Sequence, residues 1–132
     1  MATEGFEGFY VETRNYGATA AFWASLGFEN ISETDHGSGG WKHPSGGPYV
    51  FIAEQHDSEL RTWPILRVAD AEHFSPSRPL DFAQPFTVQH WDVVEAQVRD
   101  PDRRIVSLQA PVPEGLAAPD ADAHHEEKYG SR

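Results

Sequence analysis

The fold is decided by the stretch Val98-Arg99-Asp100-Pro101-Asp102-Arg103-Arg104-Ile105-Val106-Ser107-Leu108-Gln109. An alternating strand runs into Asp-Pro-Asp, and a second alternating strand leaves it. Proline fixes φ at the first corner of a turn, and aspartate carboxylates bind nearby backbone N–H groups, so the stretch predicts a tight β-turn. The strand after the turn is the last one before a Pro-rich tail.

The first half of the chain predicts the element order β-α-β-β-β. Phe6 to Thr13 is rich in aromatic and β-branched residues and predicts a strand. Asn15 is a suitable N-cap for a helix over Tyr16 to Leu26, and Gly27 then ends it. An apolar face on this helix is expected from Ala20, Phe22, Trp23 and Leu26. Three more strands are predicted, separated by Gly-rich turns, at Phe28–Thr34, Gly40–His43 and Pro48–Glu54.

The second half repeats this order with a shortened helix. Asp70 is a second N-cap, but the prolines that follow it allow only a short helix. Strands are predicted at Trp63–Val68, Phe86–His90, Asp92–Arg99 and Arg104–Gln109. The repeat predicts duplicated modules, about 5–55 and 62–110, which pair because each alone buries only one sheet face. They form a single domain, residues 1–110, followed by a flexible, acidic, Pro-rich tail over 111–132.

Composition restricts the partners and the compartment. The chain has 132 residues, no cysteine and a formal net charge of −11. An acidic body repels phosphate, which argues against nucleic acid and anionic membranes and favours a cationic ligand. The alternative is that the charge serves solubility. No leader or membrane span is expected, and the lack of cysteine favours a reducing cytoplasm.

Three segments give the chain a resemblance to a known superfamily. They are Ala20-Ala21-Phe22-Trp23 with Leu26-Gly27-Phe28, Gly46-Gly47-Pro48-Tyr49-Val50-Phe51, and Arg99-Asp100-Pro101-Asp102. In this order they resemble the vicinal-oxygen-chelate superfamily of glyoxalase I, extradiol dioxygenases, and fosfomycin- and bleomycin-resistance proteins. The resemblance implies an α+β fold, in which two paired β-α-β-β-β modules form an incomplete barrel around a cavity. It also implies a homodimer.

The resemblance also implies four metal-ligand positions on concave strand faces. Matched by spacing, these positions are Gly8, Val50 or Ile52, Trp63 and Ser107. None of these side chains is a good ligand for a divalent ion, which prefers imidazole or carboxylate. The chain is therefore expected to bind no metal and no cofactor, like the metal-free bleomycin-resistance group. The alternative is a metal-dependent lyase or dioxygenase with displaced ligands, chosen from Glu12, Glu54 and His90.

Strand alternation predicts an aromatic and aliphatic lining for the concave face. Residues two apart share a face, which groups Gly8 with Tyr10 and Glu12, Trp63 with Ile65 and Arg67, and Ile105 with Ser107 and Gln109. Trp41 and Trp91 are expected at the rim. Glu12 is expected either to neutralise a cationic ligand or to pair with Arg67, and Trp63 either to stack on a ligand or to fill the core. The predicted ligand-binding residues are thus Tyr10, Glu12, Trp41, Trp63, Arg67, Trp91, Ser107 and Gln109.

No catalytic residue is predicted, because Ser107 has no histidine at a spacing that places it nearby. The sequence favours a small-molecule binding protein that sequesters a cationic or aromatic compound in a crevice at a dimer interface. A third interpretation is a purely structural or regulatory dimer with a filled core.

Overall fold

Eight strands form one mixed sheet in the computed structural model, which describes residues 2–113. The first half consists of β1 Phe6–Thr13, α1 Tyr16–Ser25, β2 Glu29–Glu33, β3 Ser38–Lys42 and β4 Tyr49–Glu54. The second half consists of β5 Thr62–Arg67, a 3₁₀ turn Ala71–His73, β6 Asp81–Val88, β7 Val93–Arg99 and β8 Ile105–Pro111. The order across the sheet is β2-β3-β4-β1-β5-β8-β7-β6, and the sheet is not closed into a barrel. The predicted α+β fold of two paired modules is confirmed.

The duplication is visible in the strand pairing. In each half the first strand pairs in parallel with the last, β1 with β4 and β5 with β8. The halves join through the antiparallel pairing of β1 with β5. The two modules therefore share a continuous sheet, with β2 and β6 at its ends.

The caps of α1 are as predicted, but its apolar face is not. The Asn15 carboxamide oxygen accepts a hydrogen bond from the Ala18 N–H at 3.0 Å, and Gly27 has a φ of 98°. Ala20 is buried, whereas Phe22 is 57 % exposed and Leu26 is 52 % exposed. At about 3.6 residues per turn Phe22 lies on the opposite side of the helix from Ala20, so one contact face cannot bury both.

The Asp100 turn forms as the sequence predicts. Asp100 Oδ1 accepts hydrogen bonds from the N–H groups of Asp102 and Arg104, at 2.9 and 2.8 Å. Arg103 takes the left-handed conformation, with a φ of 69°. The turn joins β7 to β8 in a register that sets Glu95 opposite Gln109 and Gln97 opposite Ser107.

Strand boundaries in the second half differ from the prediction, above all at β6 and β8. β6 starts at Asp81 and runs through Pro85, with register irregularities there, because a proline cannot donate to a regular ladder. β8 continues to Pro111, one residue into the predicted tail. The remainder of that tail, from residue 114 onward, lies outside the described residues.

The buried core lies mainly on one face of the sheet, and the opposite face contains a cleft. Val50 and Ile52 are buried on the face that α1 covers. In the second half Ala96, Val98, Leu108 and Ala110 form a buried cluster with Val68. The residues that alternate with these face the other side, where a cleft lies.

Candidate functional site

A cleft lies on the sheet face opposite α1, and we call it the sheet cleft. One part has a volume of about 170 Å³ and is lined by Tyr10, Trp63, Ile65, Trp91, Glu95, Gln97 and Gln109. An adjoining part of about 240 Å³ shares Ile65, Trp91 and Gln109 and adds, among others, Ile31, Tyr49 and Phe51. Side chains from both modules therefore meet in one cleft.

An aromatic row forms one wall of the sheet cleft. Strand register sets Tyr10 between Phe51 on β4 and Trp63 on β5. The Tyr10 ring stacks on Trp63 with centroids 4.7 Å apart and lies 6.5 Å from the Phe51 ring. Neighbouring side chains on one face of a sheet hold each other in place. The row therefore presents an ordered aromatic surface to the cleft.

Trp91 reaches the sheet cleft from the turn between β6 and β7. The turn is closed by hydrogen bonds from Gln89 N–H to Val93 O and from Asp92 N–H to Gln89 O, at 2.8 and 3.1 Å. Asp92 has a φ of 63°, a conformation that aspartate tolerates better than most residues. The indole of Trp91 lines both parts of the cleft, with the His90 ring set edge-on at 4.9 Å.

Glu95 brings a buried carboxylate to the sheet cleft. It is 5 % exposed, and its Oε2 accepts a hydrogen bond from Ser107 Oγ at 2.6 Å. Gln89 Nε2 donates to Oε1 at the longer distance of 3.4 Å, and Gln109 Nε2 donates to Ser107 Oγ at 3.1 Å. Within residues 2–113 no arginine, lysine or histidine forms an ion pair with Glu95. Its hydrogen-bond partners are all neutral.

The carboxylate of Glu12 is already neutralised within the protein by Arg61. It is therefore not available to a cationic ligand, which was one of the two roles expected for it. The Arg61 guanidinium binds it through Nε at 3.3 Å and a terminal nitrogen at 3.1 Å, and the Arg61 N–H donates at 2.9 Å. Burial raises the pKa of Glu12, but hydrogen bonds from Arg61 and Tyr10 outweigh it and hold the pKa below its ordinary value. The same guanidinium lies 5.0 Å from the centroid of Trp63.

The predicted pairing of Arg67 with Glu12 is wrong. Arg67 donates to Glu7 at 3.2 Å, and it does not line the sheet cleft. Glu12 faces the loop before β5, where Arg61 is the nearer arginine, while Arg67 lies at the far end of β5. The alternation of side chains along the strands correctly predicts that Glu12 and Arg67 share a face of the sheet. It gives no information on how far apart they lie on that face.

Trp41, Val50 and Ile52 lie on the face covered by α1, not on the cleft face as predicted. Val50 pairs with Trp41 and with Phe9, whereas Tyr49 and Phe51 pair with Gly8 and Tyr10. The Trp41 indole N–H donates to the Tyr16 hydroxyl on α1 at 3.1 Å. Side-chain direction reverses with each residue, so the parallel register of β1 and β4 assigns the cleft to Tyr49 and Phe51.

The four positions matched to metal ligands do not fit a metal ion. A Cβ atom on Gly8 would lie 2.5 Å from the Tyr49 ring, which therefore covers this position. Trp63 presents an indole, Ser107 is fully buried against Glu95, and β4 presents Tyr49 and Phe51. A divalent ion needs carboxylate or imidazole ligands that converge, and these side chains supply none.

The displaced ligands do not form a metal site either. Glu12 pairs with Arg61, and Glu54 lies on the α1 side, where it accepts a hydrogen bond from the Tyr16 N–H at 2.8 Å. His90 packs on Trp91. Among residues 2–113 no three histidine, aspartate or glutamate side chains are grouped closely enough to hold a metal ion.

Of the predicted ligand-binding residues, Tyr10, Trp63, Trp91 and Gln109 line the sheet cleft. Their role in binding stays a prediction. The cleft is also lined by four residues that were not predicted from the sequence, Glu95, Gln97, Tyr49 and Phe51. Two of these could have been found from the hairpin, because a turn at Asp100 that sets Ser107 on the cleft face also sets Gln97 and Glu95 there.

The chain matches no protein-family model, and no curated protein matches it in sequence. Solved structures do match its fold. A Vibrio splendidus glyoxalase/bleomycin resistance protein/dioxygenase superfamily member has a TM-score of 0.51 at 14 % identity, over 78 % of this chain and 96 % of that one. A Legionella pneumophila structure described as an NAD-dependent benzaldehyde dehydrogenase has a TM-score of 0.58 at 14 % identity, over 79 % and 97 %.

A glyoxalase I mutant from Zea mays has a TM-score of 0.56 at 18 % identity, over 87 % of this chain but only 45 % of the maize chain. The chain thus spans less than half the length of that enzyme. The protein has the glyoxalase-like fold, as the resemblance implied, and at these identities the likeness concerns the fold alone. No helix in the described part of the chain is long and apolar enough to cross a membrane.

Proposed function

We propose that this protein is a metal-free binding protein that sequesters an aromatic or cationic small molecule in the sheet cleft. The observation that carries the proposal is the aromatic row of Phe51, Tyr10 and Trp63, which lines the cleft together with Trp91. Small-molecule sites are typically concave and mostly apolar, with a few placed polar groups. Here Gln97 and Gln109 supply neutral polar groups and Glu95 a charged one.

The aromatic row suits a planar ligand. Tyr10 supports Trp63 from the neighbouring strand and is itself flanked by Phe51, so little conformational entropy is lost when a ligand ring stacks on the row. An aromatic contact of this kind is worth about 0.5–1.5 kcal/mol beyond the area that it buries. The Arg61 guanidinium at 5.0 Å further restricts the indole of Trp63.

The proposal includes a homodimer whose second copy closes the open side of the cleft. Ile31 lines the cleft from β2 and is 57 % exposed, so a partner surface there would bury it together with a bound ligand. Size-exclusion chromatography with light scattering tests this part, and a monomer at all concentrations would remove it. Localisation in the cytoplasm remains a prediction from the absence of cysteine.

Isothermal titration with planar compounds, both neutral and basic and including a bleomycin, tests the proposed function. Replacement of Trp63 by alanine is expected to weaken binding about tenfold, which corresponds to one lost aromatic contact with its buried area. Trp41→Phe is the matched control, because Trp41 lies on the α1 side, and it should bind as the wild type does.

Two results would contradict the proposal. One is equal binding by Trp63→Ala and wild type, which would place the ligand elsewhere. The other is a stoichiometric divalent metal that survives dialysis, found by elemental analysis of the purified protein, which would overturn its metal-free part.

A further inference from the structure

The sheet cleft contains a buried negative charge that nothing in the described residues neutralises. Two other carboxylates on this side of the sheet are neutralised, Glu12 by Arg61 and Glu7 by Arg67. The Glu95 carboxylate accepts hydrogen bonds from the neutral side chains of Ser107 and Gln89, and Gln109 in turn donates to the Ser107 hydroxyl. We infer that Glu95 recognises a protonated amine, so that the ligand is an arylalkylamine, an aromatic ring that carries an alkylamine side chain. This inference rests on the proposed function and names its ligand class.

The hydrogen bonds around Glu95 prepare it as an acceptor. Gln109 Nε2 donates to Ser107 Oγ, which directs the Ser107 hydroxyl hydrogen toward Glu95 Oε2 at 2.6 Å. Gln89 Nε2 approaches Oε1 at only 3.4 Å. An ionised carboxylate has about four acceptor positions on its two oxygens, so two weak or neutral donors leave capacity for an ammonium N–H.

Burial makes an amine the favoured partner. A carboxylate with 5 % exposure has lost most of its hydration, and neutral donors replace that hydration incompletely. A protonated amine restores charge neutrality and makes charge-assisted hydrogen bonds, which are about twice as strong as neutral ones. A neutral hydroxyl in the same place donates one hydrogen bond but leaves the charge of the carboxylate uncompensated, and a carboxylate would be repelled.

The position of Glu95 within the cleft fixes the shape of the ligand. Tyr10, Trp63 and Trp91 line the same part of the cleft as Glu95. A ring stacked on these side chains and an ammonium group at Glu95 therefore belong to one molecule. A planar ring with a short alkylamine side chain fits this arrangement.

Three probes that share an indole ring and differ in charge test the inference. They are tryptamine, which is cationic at pH 7, the neutral alcohol tryptophol, and the anion indole-3-acetate. Isothermal titration of the wild-type protein should show tryptamine binding about tenfold tighter than tryptophol, because only tryptamine brings a positive charge to the carboxylate. Indole-3-acetate should bind most weakly.

Two variants remove the charge of the site in different ways. Glu95→Gln should abolish the preference for tryptamine while it leaves tryptophol binding within about twofold. Gln97→Lys sets a lysine beside Glu95 on the cleft face of β7, at a partly exposed position, and should abolish the same preference. It serves as the second variant if circular dichroism shows that Glu95→Gln does not fold. Glu29→Gln, on the exposed edge strand β2, controls for net charge and should keep the preference.

The outcomes separate the inference from the proposed function. If tryptophol and tryptamine bind the wild type equally, Glu95 does not select an amine and the inference fails, while the aromatic binding site stands. The inference also fails if both charge-removing variants fold and keep the preference. If none of the three indoles binds, the aromatic cleft itself is contradicted and both proposals fall.

Discussion

Replacement of Arg61 by methionine tests how the sheet tolerates the buried carboxylate of Glu12. The side chain of Glu12 is 3 % exposed, whereas that of Arg61 is 59 % exposed. Methionine keeps most of the aliphatic stem and the backbone N–H that binds Glu12, but removes two side-chain donors and the positive charge. The Tyr10 hydroxyl still donates to Glu12 at 2.9 Å.

The expected loss lies between two known limits. A solvent-exposed ion pair contributes up to about 1 kcal/mol, and removal of one partner from a fully buried pair costs about 3–5 kcal/mol. Since solvent reaches Arg61 but not Glu12, we expect Arg61→Met to lower the free energy of unfolding by about 2 kcal/mol. For a domain of this size that corresponds to a decrease in Tm of about 7 °C.

A matched arginine makes the test sharp. Arg67 is 58 % exposed and pairs with Glu7, whose side chain is 28 % exposed. Arg67→Met should therefore cost less than about 1 kcal/mol. Thermal melts followed by circular dichroism, with urea unfolding at one temperature, give both values. Equal losses in the two variants would refute the reasoning, because the burial of the carboxylate would then have no effect.

Three further predictions concern the same sheet. The pKa of Glu12 is lowered in the fold, so its charged form stabilises the protein at pH above the ordinary value of 4.5, and this contribution is lost as the pH falls below that value. The difference in Tm between wild type and Arg61→Met should therefore shrink in acid. A constant difference from pH 7 to pH 3 would contradict this. Gly8→Ala should displace the Tyr49 ring and cost about 1–2 kcal/mol in urea unfolding, with altered affinity in the cleft; unchanged stability and affinity would show that the ring moves freely. Leu108→Ala, in the 2 % exposed core, should cost about 2–5 kcal/mol, and a smaller loss in calorimetry would show that the core collapses around the cavity.

Features set by neighbouring residues could be predicted from the sequence. The bounds of β1 are as predicted, and Asn15, Asp70 and Gly27 act as the caps and stop that their chemistry suggested. The Asp100 turn forms because its aspartate and proline determine the local backbone whatever the rest of the chain does. Each of these depends on interactions within about five residues.

Features set by distant pairing could not be predicted in the same way. The face assigned to Val50 and Ile52 was wrong because a parallel pair is not joined by a turn, so nothing local fixes the register of β1 against β4. Arg61 lies between the two predicted modules, and only the folded chain brings it to Glu12. Glu95 was different, since the register of its hairpin follows from the Asp100 turn and would have revealed it.

The tyrosine ring over Gly8 limits which new sites the protein can evolve. Any side chain at position 8 puts a Cβ atom 2.5 Å from the Tyr49 ring, so a histidine or glutamate there must displace the ring unless position 49 also changes. Displacement of the ring costs stability, and one ligand side chain at position 8 does not make a metal site. A metal-binding descendant of this chain therefore needs a first substitution, at position 8 or 49, that selection for metal binding does not favour. Changes to the aromatic lining of the cleft are easier to acquire than a metal site.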